Sequence, residues 1–187
     1  MMENYNDQEL IYDYLKKGDE KSLEILIQRH LKPVYGFAYR YVGNAQEAED
    51  ITQDVFVKVW KNLKKFDGQK SFKAWIFTIA QNTSLDFLKK KKAMQFSDLE
   101  NESGENALVE KFIDSSPLPD EFLEQKGIRE IFIKAAGKLF PKYRRVLFLR
   151  HEENLTFREI AETLGEPLNT VKSRHRRALI ALKKLLS

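Results

Sequence analysis

The sequence predicts an all-α chain folded as two small helical domains. Three observations carry that prediction. Apolar residues recur at helical spacing along both ends of the chain. Helix caps and stops punctuate those stretches. Between them lies one long acidic segment, bearing serines and prolines, in which the periodicity fails. With 187 residues the chain is long enough for one large core or two small ones.

Taken in order, Leu10, Ile11, Tyr14 and Leu15 form a short stripe ended by Gly18. Asp19 is placed to cap a second helix that runs through Leu23, Leu26 and Ile27 to Tyr41, with Gly43-Asn44 as its stop. Pro33 inside it predicts a kink or a weaker helix there. A third helix is expected from about Ala45 to Lys65, stopping near Asp67-Gly68. Ser71 caps a fourth, whose apolar face is Phe72, Ile76, Ile79, Ala80, Thr83 and Phe87, ending in Lys89 to Lys92. Residues 93–124 read as an extended linker, containing Ser103-Gly104, Ser115-Ser116, Pro117 and Pro119. Helical patterning resumes at about Phe122, punctuated at Phe140-Pro141, Asn154 and Gly165. The expected domains are therefore 1–92 and 125–187, joined by 93–124.

Charge follows the same division. Nine lysines lie between Lys61 and Lys92, against Asp67 and Asp86, and nine acids lie between Ala93 and Glu124, against Lys111 alone. From Glu166 onward six bases face that one acid. Two basic blocks parted by an acidic linker suit two surfaces for nucleic acid better than a merely solvated exterior. The chain has no cysteine, which removes disulfides, thiolate zinc sites and thiol nucleophiles. No apolar run reaches a membrane-spanning length, and the polar, acidic Met1–Asp7 is not expected to be an export signal, so a cytoplasmic protein without membrane insertion is expected.

The strongest local signal runs from Thr156 to Arg177. Thr156 and Glu159 make a capping box, Ile160 and Leu164 face a partner, and Gly165 can take the positive φ that ends the helix. Pro167 suits the first turn of the next helix, in which Val171, His175, Ala178 and Leu182 form an inner stripe. The other face displays Asn169, Lys172, Ser173, Arg176 and Arg177. This is a helix-turn-helix, with its second helix placed to present side chains to base edges and phosphates. His175 reads as a partly buried packing residue, since no pair among His30, His151 and His175 has metal-site spacing. No cofactor and no metal is expected.

Two separated stretches resemble the extracytoplasmic-function group of the sigma-70 class. One runs from Glu47 through Asp50, Gln53, Asp54 and Trp60 to Phe66, Gly68, Ser71-Phe72, Trp75, Ile79-Ala80, Asn82-Thr83 and Asp86. The other is Leu139, Pro141, Arg144, Val146 and Leu149, followed by the helix-turn-helix with Thr170-Val-Lys-Ser-Arg174. The resemblance implies a sigma factor without catalysis, with core RNA polymerase and promoter DNA as partners; an anti-sigma factor is left open. It implies that Asp50, Gln53, Asp54 and Lys61 meet the polymerase. It further implies that Lys64, Phe66, Lys70, Ser71, Trp75, Ile79, Asn82, Lys89 and Lys90 meet the −10 element. Asn169, Thr170, Lys172, Ser173, Arg176 and Arg177 would then read the −35 duplex.

Chemistry beside that resemblance agrees with it. Ala48, Ile51, Val55 and Val59 form one stripe of the third helix, leaving its acids on an outer face. Aromatic residues beside lysines suit unpaired DNA, because bases stack while lysines follow the backbone. Core packing is the alternative for Phe66 and Trp75. The chain departs from the family pattern at Glu166, Asn169 and His175, where an apolar residue, Gly, and Leu or Ile are usual. A ligand-controlled regulator would need a further α/β domain, and an enzyme acting on nucleic acid a metal or nucleophile cluster; neither is visible.

Overall fold

The computed structural model describes residues 5–96, 135 and 137–186, and among these every regular element is helical. The proposed linker therefore lies almost wholly outside the described residues, as does the resumption of helix at Phe122. Helix α1 (Asp7–Tyr12) opens with an Asn6–Glu9 capping box, widens into a π turn over Asp13–Lys17, and stops at Gly18 with φ 69°. Glycine is required there because that backbone is left-handed. Helix α2 (Glu20–Val42) is capped by Asp19, whose carboxylate accepts from Lys21 N and Ser22 Oγ. It continues through Pro33 without interruption. Leu26, Val34 and Phe37 are all essentially inaccessible, so burial holds the turns on both sides of the missing N–H.

Asn44 caps α3 (Ala45–Asn62), which tightens into a 3-10 turn at Leu63–Lys65. Ser71 Oγ accepts from Ala74 N at 3.2 Å and starts α4 (Phe72–Phe96), which passes the expected end at Lys92. Helices α2, α3 and α4 pack on one another, with α1 against α2. The stripe of α3 is buried as its periodicity predicts: Ala48, Ile51, Val55 and Val59 are at most 2% exposed.

In the second half, α5 (Pro141–Leu147) passes through a π turn (Phe148–Glu152) towards α6 (Phe157–Leu164) and α7 (Leu168–Leu186). The Thr156–Glu159 capping box is present, and Gly165 ends α6 with φ 63°. Leu139 and Leu147 meet Ala178 and Leu182 in a small cluster between α5 and α7.

The two halves share a core. Helix α6 packs on α4 and α5 on α2. The Phe148 ring lies 5.9 Å from those of Phe37 and Phe77. Arg145 Nη1 donates to Tyr41 Oη at 2.9 Å, and that hydroxyl donates to Gln81 Oε1, all three side chains being buried. Lys73 binds the Glu153 carboxylate at 3.4 Å and its carbonyl at 3.2 Å. Helix α4 is thus buried on more than the single expected face: Phe77, Gln81, Ser84 and Leu88 join Phe72, Ile76 and Ala80.

Tyr41→Phe should cost about 1–3 kcal/mol in urea unfolding, because Arg145 and Gln81 lose a buried partner. Phe37→Ala, at the meeting of three helices, should cost about 3–5 kcal/mol.

A second prediction concerns acid. Burial opposes ionisation of Asp7, but hydrogen bonds from His30 (2.8 Å) and Arg29 (2.7 Å) outweigh it and hold its pKa below 3.8. The native state then binds fewer protons than the unfolded one, so this contribution is complete above 3.8 and lost as pH falls below it. Asp7→Asn should flatten the acid limb of a stability–pH curve below about pH 4.

Candidate nucleic-acid interface

Three faces of the molecule carry the residues that the sequence singles out. The first is a cleft between α3 and α4 of about 360 Å³, lined by Lys58, Asn62, Lys65, Trp75, Ile79, Asn82 and Thr83. Trp75, Ile79 and Asn82 fall at four- and three-residue steps on α4 and so line one wall. Lys58, Asn62 and Lys65 supply the other. Lys58 Nζ donates to Thr83 Oγ1 at 3.0 Å, tying the walls together. The cleft combines an indole face, an exposed amide and two ammonium groups, the set that can stack a base, bond its edge and hold its phosphates.

Sequence reasoning named one wall and missed the other. The signal was present, since Lys58, Asn62 and Lys65 repeat at helical spacing. Phe66 does not line the cleft; its ring packs at 5.4 Å on Phe72 and 5.2 Å on Trp75, forming the backing of the tryptophan. Lys64 and Lys70 are exposed beside it, and Lys89 and Lys90 are exposed further along α4. Ser71 is engaged across the shared core with Glu159. Burial works against the Glu159 carboxylate, but hydrogen bonds from Thr156 and from Ser71 hold its pKa below the usual value.

The second face is the outer side of α3. Asp50, Gln53, Asp54 and Lys61 are all exposed there. Between them stand two large apolar side chains that the sequence reading did not assign to this face, Val57 at 46% exposure and Trp60 at 57%. The Trp60 indole donates to Tyr14 Oη at 3.1 Å, which fixes its plane against the π turn after α1. An apolar centre with a charged rim is the make-up of a protein-docking surface.

The third face is α7. Asn169, Lys172, Ser173, Arg176 and Arg177 are exposed and Thr170 half-buried, while Val171, Ala178 and Leu182 are buried beneath. Glu166 pairs with Arg174. His175 packs edge-on against Phe157, and its Nε2 lies 2.9 Å from that of His151. The fold therefore brings together two histidines 24 residues apart. Among the described residues no helix is long and apolar enough to cross a membrane.

Comparison with known proteins agrees with this geometry. Residues 26–94 match Sigma-70 region 2, and residues 129–182 match Sigma-70, region 4. The chain is 32% identical over 173 residues to the ECF RNA polymerase sigma factor SigW of Bacillus subtilis (strain 168), covering 92% of each. It is 28% identical over 186 residues to the ECF RNA polymerase sigma-E factor of Escherichia coli (strain K12), covering 97% of this chain and 95% of that one. Among solved structures, the sigma factor RpoE of Bartonella quintana, in complex with the anti-sigma factor NepR, superposes with TM-score 0.66 at 24% identity, covering 89% of this chain and 97% of that one. The cleft and the helix-turn-helix fall one in each matched region, and the chain belongs to the extracytoplasmic-function group of the sigma-70 family, whose members direct promoter-specific transcription initiation.

Proposed function

We propose that this sigma factor holds core RNA polymerase through the outer face of α3, reads the −35 duplex with α7, and captures an unpaired −10 base in the cleft between α3 and α4. The observation that carries the proposal is the cleft itself, with Trp75, Ile79 and Asn82 on one wall and Lys58 and Lys65 on the other. Unstacking a base costs a few kcal/mol, so opening needs a place where the extruded base is received. Phe66 backs Trp75 and Ser71 caps the start of α4, so both act by holding that wall in place, and Lys64, Lys70, Lys89 and Lys90 follow the strand. On α7, Arg176 and Arg177 suit guanine edges, Asn169 an adenine edge, and Thr170, Lys172 and Ser173 the backbone.

Docking is assigned to Asp50, Gln53, Asp54 and Lys61 around Val57 and Trp60. Charge at the rim sets register and apolar area at the centre supplies affinity. We assign residues 1–92 to polymerase and −10 binding, 125–187 to −35 binding, and 93–124 to an acidic linker between them. The site of action is the cytoplasm, where the polymerase works. An anti-sigma factor completes the proposed partners, by likeness to the Bartonella quintana complex.

The experiment is reconstituted transcription with core enzyme on promoter libraries, with initiation mapped to base resolution. The expected result is initiation at a defined pair of elements; a chain that supports none overturns the proposal. Asp50→Lys with Asp54→Lys should abolish holoenzyme assembly, by native gel or calorimetry, with unfolding nearly unchanged because both side chains are exposed.

Trp75→Ala should weaken −10 single-strand binding by about 1–3 kcal/mol. Asn82→Ala should erase discrimination at one base position while leaving the others. Oligonucleotides substituted one base at a time measure both. Uniform loss at all positions would assign the two residues to packing.

A further inference from the structure

We infer, on the proposed −10 reading of the cleft, that Gln8 of α1 is a positioning residue for base capture, bracing the loop that backs the Trp75 wall. That loop, residues 66–71, joins the 3-10 turn after α3 to the start of α4, and its tip from Asp67 to Lys70 is exposed. Within the tip, Lys70 N donates to the Asp67 carbonyl at 2.9 Å and Gln69 N to Asp67 Oδ1 at 3.0 Å. These bonds shape a turn but attach it to nothing else. Among the described residues, the hydrogen bond that ties the tip to another element comes from Gln8. Its Nε2 donates to the Gly68 carbonyl at 2.7 Å, across 60 residues of sequence.

Gln8 is itself held in place. Asn6 and Glu9 close a capping box around it, and Leu10 and Ile11 are buried on the turn that follows. Its neighbour Asp7 is bound by Arg29 at 2.7 Å and by His30 at 2.8 Å, both on α2. A second line of contact starts from the same point. The His30 ring meets Phe72 edge-on at 5.3 Å, and Phe72 lies 5.4 Å from Phe66 and 5.6 Å from Trp75. Asp7 and Gln8 therefore reach the tryptophan wall from two sides, through rings packed behind the first turn of α4 and through the loop that carries Phe66. All these residues belong to the first half of the chain, so the brace is independent of how the two halves pack. Helix α1 also precedes the matched Sigma-70 region 2, which begins at residue 26.

The mechanical consequence concerns the indole plane. A base stacks well only on a ring that keeps its orientation, and Phe66 backs Trp75 at 5.2 Å. A loop tip released from Gln8 carries Phe66 and Lys70 with it. Ordering that loop again as the strand enters then opposes binding.

The test uses holoenzyme reconstituted from the full chain and core polymerase. The probes are fluorescent single-stranded oligonucleotides bearing the mapped −10 sequence, each base changed in turn. Gln8→Met keeps the side-chain length and the helix propensity while removing the donor. The expected result is single-strand binding weaker by about threefold to tenfold, the worth of one hydrogen bond. The loss should fall on the base that the cleft receives. Holoenzyme assembly and thermal unfolding should stay close to those of the unsubstituted chain, since Gln8 is exposed. A double-mutant cycle with Trp75→Ala separates positioning from a general structural effect. If Gln8 acts through the tryptophan wall, Gln8→Met costs little more once Trp75 is gone. Equal losses with and without Trp75, or full affinity in Gln8→Met, overturn the inference while Trp75→Ala alone still reports on the cleft. An unsubstituted holoenzyme that binds the strand without base discrimination overturns the −10 reading, and the role of Gln8 with it.

Discussion

Three phenylalanines from three elements meet at the centre of this molecule, and most of its remaining structure answers to them. Phe37 on α2 and Phe77 on α4 are inaccessible and lie 5.2 Å apart; Phe148, from the turn after α5, closes the group. The first two belong to the sigma region 2 half and the third to the region 4 half. Stacked and edge-on pairs of this kind add about 0.5–1.5 kcal/mol each beyond the area they bury. The surrounding contacts are polar and less complete. Arg40 lies 3.9 Å from the Phe148 ring centroid, and burial pulls its pKa down to about 10. The Glu153 carboxyl is pushed up by burial although Lys73 binds it, and the buried Nε of Arg145 lacks a hydrogen-bond partner among the described residues. Cations and carboxylates held in this way regain water when exposed. Parting the halves therefore costs less than the ring packing alone suggests.

That constraint explains where the candidate chemistry stands on α4. Helix α3 takes one side of α4, α2 takes another through Gln81, and the region 4 half takes a third through Ala74 and Phe77. The remaining exposed side carries Trp75, Ile79 and Asn82 at its start and the lysines at its end. Thr83, whose Oγ1 also donates to the Ile79 carbonyl at 2.8 Å, marks the floor where exposed helix meets buried helix. A residue of α4 serves the cleft because the other faces are already filled.

The same constraint divides what was legible in the sequence from what was not. Helical stripes were legible wherever a helix buries one face: Ala48 to Val59 on α3, and Val171, Ala178 and Leu182 on α7. Stops were legible because only glycine takes a φ near +65° cheaply, as at Gly18, Gly43 and Gly165. Phe77 and Gln81 were illegible, because their burial depends on Phe148 and Tyr41, partners far along the chain that no local period encodes. The exposure of Trp60 was illegible for the opposite reason: the motif names the residue, but only the fold leaves so large an apolar side chain at the surface. The face of the cleft built by Lys58, Asn62 and Lys65 was hidden by its composition, since lysines on a helix ordinarily mean solvent. For α7 the sequence supplied both the helix and its exposed face, because the whole unit is local.

The departures from the family pattern also find causes in the structure. Glu166 stands where an apolar residue is usual, and its carboxylate pairs with the Arg174 guanidinium, both side chains only about a fifth exposed. A carboxylate beside α7 repels phosphate unless a cation neutralises it. Arg174 does so, and is thereby held back from the exposed face on which Lys172, Ser173, Arg176 and Arg177 stand. The pair also ties the turn after Gly165 to the middle of α7. One internal ion pair thus replaces an apolar contact in fixing the turn, and it removes one arginine from the set that can meet DNA. On the proposed role of α7, a −35 preference carried over from relatives with an apolar residue at that position would therefore count one cation too many.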